Sequence, residues 1–271
     1  MLNNNKVKIS LIQIEGKSTP KLNSILINKN LSQSLKFNPD IIFTPECLNI
    51  ITGDTAHLLK NVTTQKNCPV LEKCINFAKK YSKYISVGSL LLRKNNSKKL
   101  LNRSFFINNK GKIINHYDKI HLFDARVNTK EIYQESKSFN KGKNIISVDT
   151  PWGIVGITIC YDLRFPNLFR NLVKVGCKLI IVPAAFTIPT GKDHWEILLR
   201  ARAIETTTYI IAAGQCGSHH GSRKTYGHSL VVNPWGKLLI KGYGKPMILH
   251  TTLDLEKINE IRSKLPSIYH N

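Results

Sequence analysis

Three residues of complementary chemistry each stand just after a short apolar run. Glu46 follows Ile41-Ile42-Phe43, Lys119 follows the run ending at Tyr117, and Cys160 follows residues 154–159. A thiol attacks carbonyl carbon. A carboxylate beside it can take its proton and later return it to a leaving amine. An ammonium in the same place can favour the thiolate and hold a developing oxyanion, with the Tyr161 N–H as a second donor. Each residue alone has a plainer reading. A glutamate after proline is usually a cap or a surface charge, a lysine in a lysine-rich chain is usually solvated, and a free cysteine is usually a small buried hydrophobe. Their joint placement at three strand ends carries the argument, because open α/β sheets keep their chemistry at the carboxyl ends of strands.

The elements that must position these residues are legible from periodicity. Alternating or continuous apolar runs predict strands at 7–14, 40–46, 85–92, 101–107, 112–117, 145–149, 154–159, 179–182, 209–213, 228–232, 237–240 and 247–253. Helical spacing predicts helices at 22–37, 70–84, 167–175, 195–206 and 255–263. Asn108-Asn109-Lys110-Gly111, Thr150-Pro151-Trp152-Gly153 and Asn233-Pro234-Trp235-Gly236 are hairpin signals between strands. Strands alternating with helices, with some hairpins between, predict an α/β fold of mixed sheets with helices outside. No linker or repeat interrupts the 271 residues, so one domain over 1–271 is expected. Residues 123–144 lack a period, and a long loop inside a compact domain is often functional.

Composition narrows the function. The formal charge is +23, from 31 Lys and 9 Arg against 17 acidic residues. The basic residues are spread along the chain, with no basic tail and no arginine stripe interleaved with aromatics, so no dedicated nucleic-acid role is expected. No run of about 18 apolar residues is present, which predicts no membrane span. The polar start, residues 1–8, has no signal-peptide core, and a cytoplasmic protein is expected. The six cysteines are scattered without a CxxC pair, arguing against a zinc cage and a disulfide framework. Cys216, His219, His220 and His228 lack the second cysteine of a structural metal set, and no metal site is expected there. His219 and His220 fit better as donors to an anionic substrate.

The stretches Phe43-Thr44-Pro45-Glu46, Tyr117-Asp118-Lys119-Ile120-His121-Leu122-Phe123-Asp124 and Cys160-Tyr161-Asp162-Leu163-Arg164-Phe165-Pro166 resemble the three signatures of the nitrilase, or carbon–nitrogen hydrolase, superfamily. The resemblance runs from Val7 to about Asp254. His194-Trp195-Glu196, Gln215-Cys216-Gly217-Ser218-His219-His220 and Thr225-Tyr226-Gly227-His228-Ser229 are similar to the Nit-type amidases, and the double histidine resembles their deaminated-glutathione branch. The resemblance implies an α-β-β-α sandwich that forms a homodimer or a larger homo-oligomer. It implies Cys160 as nucleophile, Glu46 as general base and Lys119 as oxyanion stabiliser, with no metal or organic cofactor. It implies a small α-keto-acid amide such as deaminated glutathione as substrate, with α-ketoglutaramate, carbamoylase or nitrilase chemistry as alternatives. A supporting glutamate is expected in the loop after the lysine. Glu135 fits by its Glu-Ser-Lys context, and Glu131 is the competitor; the Lys141-Gly142 that follows departs from the family's Pro-Gly. Arg164 is a candidate carboxylate clamp, with a salt bridge to Asp162 as its plainer reading. Thr187 and Thr190 are expected at a pocket rim, and His194 either lines the pocket or packs at a helix start. Arg200 and Arg202, two apart on a helix, cannot point the same way, and pairing with Glu196 or Glu205 is expected. A non-enzymatic basic binding protein is the rival reading.

Overall fold

The alternation in the first predicted strand has a physical outcome. In β1 (Lys6–Gln13) Val7, Ile9 and Leu11 enter one core and Ile12 a second on the opposite face. The computed structural model describes residues 5–127, 129 and 131–270. In chain order it continues with α1 (Pro20–Ser34), β2 (Ile41–Phe43), α2 (Thr55–Asn61), α3 (Pro69–Tyr81), β3 (Tyr84–Arg93), β4 (Leu100–Ile107), β5 (Ile113–Asp118), β6 (Asp124–Arg126), β7 (Ile132–Gln134), α4 (Glu135–Ser138), β8 (Ile146–Thr150) and β9 (Gly153–Ile157). It is completed by α5 (Pro166–Lys174), β10 (Cys177–Ile181), α6 (Ile188–Thr190), α7 (Glu196–Thr206), β11 (Tyr209–Ala212), β12 (Cys216–Ser218), β13 (Lys224–Tyr226), β14 (Leu230–Val232), β15 (Leu238–Lys241), β16 (Met247–Asp254) and α8 (Glu256–Lys264).

Two six-stranded sheets form, in the orders β16-β1-β2-β3-β4-β5 and β15-β14-β11-β10-β9-β8. Both are mixed. β1-β2-β3 and β9-β10-β11 are parallel, and antiparallel strands flank each trio. Val7, Ile9, Phe43 and Phe106 of the first sheet share a core with Val155, Ile157 and Leu179 of the second. On the outer face of the first sheet, Ile27 and Leu31 of α1 and Leu71, Cys74 and Phe77 of α3 cover Ile12, Ile42 and Ile85. On the second, Leu168, Phe169 and Leu172 of α5 and Leu199 and Ala203 of α7 do the same. The result is the α-β-β-α sandwich, each sheet buried on both faces as parallel strands require.

The structure departs from the sequence reading in short elements. The 123–144 stretch is not one irregular loop. It holds the β6–β7 hairpin and the single turn α4, and Asn128 and Lys130 within it lie outside the described residues. Three-residue strands are too short to show a period, which also hid β12 and β13. Among the described residues no helix is long and apolar enough to cross a membrane.

Candidate active site

Glu46 is delivered by the chain leaving β2. Thr44 Oγ1 accepts from the Gly88 N–H at 2.8 Å, and a Cβ on Gly88 would sit 2.0 Å from the Thr44 carbonyl oxygen. Only glycine lets β3 come that close. The next residue, Cys47, turns the chain with φ +58. Gln215 Nε2 then donates to the Glu46 carbonyl at 3.0 Å. Lys119 follows β5, its N–H on the Asn102 carbonyl at 3.0 Å.

Cys160 opens a short 3-10 turn after β9. Its φ is +50, a left-handed conformation that costs a non-glycine residue about 1–3 kcal/mol and needs support. Support comes from Pro183, whose carbonyl accepts the Cys160 N–H at 2.9 Å, and from fully buried Asp162. Asp162 Oδ2 accepts the Ile159 N–H at 2.8 Å and the Tyr117 hydroxyl at 2.7 Å. Its Oδ1 accepts the His121 N–H at 3.1 Å and lies 2.7 Å from His121 Nδ1. One carboxylate thus ties the turn carrying Cys160 to the segment carrying Lys119. It is not the partner of Arg164.

The three strand-end residues meet. Lys119 Nζ donates to Glu46 Oε1 at 3.0 Å and to Glu135 Oε2 at 2.8 Å. Asn102 Nδ2 bridges the same two carboxylates, at 2.9 Å to Glu46 Oε1 and 3.1 Å to Glu135 Oε1. The Ala185 N–H fixes Glu46 Oε2 at 2.9 Å, and the Phe123 N–H fixes Glu135 Oε2 at 2.6 Å. Glu135 carries the contact to Lys119; Glu131 stands further along the same wall. Glu46, Lys119 and Cys160 are all buried.

Burial alone would raise the Glu46 carboxyl, but Lys119, the Cys160 thiol, Arg223 and Asn102 outweigh it and hold it below its ordinary 4.5. Burial would likewise lower Lys119, and Glu135, Glu46 and Cys160 drive it well above 10.5 instead. For Cys160, burial and then the Glu46 charge push the thiol well above 9.0 against the pull of Lys119 and the Ala185 N–H. The resting site therefore holds a carboxylate, an ammonium and a neutral thiol. Lys119 does pull the thiol towards the thiolate, as expected, but burial and the Glu46 charge outweigh it.

The cluster opens into a cleft of about 530 Å³. Tyr161, Arg164, Thr187 and Thr190 stand on its wall with the β6–β7 hairpin and the segment 221–224. The family model for carbon-nitrogen hydrolases matches residues 8–263. The chain belongs to the carbon-nitrogen hydrolase family. A deaminated glutathione amidase of Yersinia enterocolitica is 35% identical over 267 residues, covering 97% of this chain and 92% of its own. The omega-amidase NIT2 of Mus musculus is 34% identical over 264 residues, covering 96% and 92%. Among solved structures, Saccharomyces cerevisiae Nit3, a member of branch 10 of the nitrilase superfamily, superposes with a TM-score of 0.87 at 29% identity over 97% of this chain and 95% of its own. The Caenorhabditis elegans NitFhit protein superposes at 0.90 and 31% identity over 98% of this chain and 65% of its own.

In this carbon-nitrogen hydrolase the remaining candidates fall out unevenly. Arg164 faces the cleft, with Nη2 3.1 Å from His194 Nδ1 and its guanidinium over the Tyr161 and Phe186 rings at 5.8 and 5.7 Å. His194 holds Arg164 from behind and does not line the cleft. Thr187 Oγ1 and Thr190 Oγ1 bond each other at 2.8 Å. The structure does not bring His219 or His220 to the wall. His219 is buried, its Nδ1 3.0 Å from the Gly16 carbonyl and its Nε2 2.7 Å from Thr225 Oγ1. A carbonyl only accepts, so Nδ1 carries the proton and Nε2 accepts from the hydroxyl. Burial pushes this imidazole down to about 4. His220 Nδ1 lies 3.0 Å from Thr52 Oγ1 and its ring packs on His57. Both arginines of α7 pair internally, Arg202 with Glu205 at 3.0 Å and Arg200 with Glu196 at 3.6 Å. Sequence reasoning missed Asn102 and Arg223. Asn102 left one trace, as the first of three polar residues, Asn102-Arg103-Ser104, between the apolar ends of β4. Arg223 left none.

Proposed function

We propose that this protein is a cysteine-dependent amidase acting on a small α-keto-acid amide, with deaminated glutathione or α-ketoglutaramate as substrate. One observation carries the reading: the Lys119 ammonium lies between Glu46 and Glu135, in the same buried cluster as Cys160, at the base of a cleft with two arginines. Relatives named deaminated glutathione amidase and omega-amidase match at nearly equal identity, which supports the class and favours neither member.

Cys160 Sγ bonds to the amide carbon as its proton passes to Glu46, and the carbonyl π pair moves to oxygen. Lys119 Nζ and the Tyr161 N–H stabilise that oxyanion. The C–N bond breaks as Glu46 returns the proton to the leaving amine or ammonia, leaving a thioester. Water, deprotonated by Glu46, attacks the thioester; the C–S bond breaks and Cys160 regains its proton. Glu135 keeps Lys119 charged and oriented. Arg164, Thr187 and Thr190 contact the substrate. The test is a panel of deaminated glutathione, α-ketoglutaramate, a nitrile and an N-carbamoyl amino acid, read by ammonia and amine release. Release from an α-keto-acid amide, absent with Cys160→Ser, is the expected result. Turnover of the nitrile or carbamoyl compound alone would overturn the substrate class.

The chain works as one domain in the cytoplasm, where its six free thiols stay reduced; cell fractionation checks the compartment. We read the outer face of α7 as a homodimer contact. Ile197, Ile204 and Trp235 are 69%, 46% and 58% exposed. Arg200 Nε bonds the Gly236 carbonyl at 2.9 Å, which fixes the Trp235 turn beside the helix. Light scattering should give twice the 30.7 kDa chain mass. A monomer mass at working concentration would count against it.

A further inference from the structure

Arg223 is the second guanidinium on the cleft wall, and it is held differently from the first. Arg164 is occupied by His194 and by two rings. Arg223 is partly buried, and among the described residues its guanidinium has no hydrogen-bond or ion-pair partner. It is nevertheless close enough to Cys47, Glu46, Tyr133 and Cys160 for each to act on its charge. A charged fork drawn out of bulk water without an anion is costly unless something arrives to pair with it.

The segment that carries it is fixed. Gly53 N donates to the His220 carbonyl at 2.8 Å, and a Cβ on Gly53 would lie 2.3 Å from the Gly221 carbonyl oxygen. The two backbones therefore touch, and only glycine permits it. His220 Nδ1 lies 3.0 Å from Thr52 Oγ1, and the His219 N–H donates to the Arg223 carbonyl at 2.7 Å. The double histidine braces the Arg223 turn from outside the cleft.

We propose that Arg223 is the carboxylate-recognising arm of this site, set in place by His219 and His220, and that it selects amides bearing a carboxylate over neutral amides. The inference takes its substrate from the amidase reading, but its test does not depend on turnover. Iodoacetate and iodoacetamide differ only in carboxylate against amide, and both alkylate thiols. Their rates at Cys160 are measured by mass spectrometry on the full chain. Arg223→Gln should lower the iodoacetate-to-iodoacetamide rate ratio about tenfold, the scale of a lost charge-assisted hydrogen bond, and Arg223→Lys should restore part of it. A general change in thiol reactivity slows both reagents alike and leaves the ratio fixed. An unchanged ratio in Arg223→Gln would overturn the proposal.

A measurement on the unaltered protein guards against a variant that fails to fold. Succinate should protect Cys160 from iodoacetamide, and dimethyl succinate should not; equal protection by both would also overturn it. If the substrate panel shows no turnover while the ratio falls as expected, the amidase reading fails and this one stands.

Discussion

Cys160→Ser is expected to remove amide turnover to background, a loss of about 10³-fold or more in kcat/KM. The hydroxyl keeps the shape of the site but not the nucleophile, because Glu46 is a weak base. Its carboxyl is held below 4.5 by Lys119 and its other neighbours against the pull of burial. Such a base can accept a thiol proton only while the C–S bond forms, and an alcohol gives its proton up far less readily. The same electrostatics set the pH profile. Glu46 must be ionised to work, so activity is lost only as pH falls through values below 4.5. The alkaline side is kept open by Lys119, which stays charged well above 10.5. Rates measured from pH 6 to pH 9 should show a broad plateau. An acid limb centred near 6 would contradict the assignment of Glu46 as base. Cys47 lies on the same cleft, but burial and the Glu46 charge push its thiol up to about 12, and Cys47→Ser should keep the turnover that Cys160→Ser loses.

Lys119→Met carries the second large effect, on both activity and stability. Methionine keeps most of the stem and removes the charge. Loss of an oxyanion donor typically costs about 10²–10³-fold in kcat. The stability effect has a separate origin. Glu46 and Glu135 are held 3.0 and 2.8 Å from the one ammonium, and removing one member of a buried ion cluster costs about 3–5 kcal/mol because the others are left uncompensated. Without Lys119, burial is the largest influence left on Glu46 and it raises the carboxyl, so any residual activity should show its acid limb at higher pH. Urea unfolding and the pH–rate profile of the variant check both parts. Unaltered stability together with kcat within a few-fold of the parent would sink the assignment.

The strand pattern was largely legible because each sheet is buried on both faces and its strands read as long apolar runs. β1, β3, β10 and β16 stand within one or two residues of their expected bounds. The β6–β7 and β12–β13 hairpins were not, since three residues cannot establish a period. The double histidine shows the same limit. A pair of imidazoles beside glycines looked like substrate donors, yet His219 spends both ring nitrogens on Gly16 and Thr225.

The sequence by itself determined the residue types, a carboxylate, an ammonium and a thiol after three strands, and with them the sandwich that brings such ends together. Hydrophobic periodicity is local and survives in one dimension. Tertiary structure alone decided that Glu135 rather than Glu131 meets Lys119, that Asp162 binds the Cys160 turn to the Lys119 segment, and that Arg223 stands on the wall with no hydrogen-bond or ion-pair partner among the described residues. It also decided that the thiol rests neutral. Those outcomes depend on burial and on charges brought together from distant parts of the chain, and an electrostatic field is a property of positions in space, which no order of residues states.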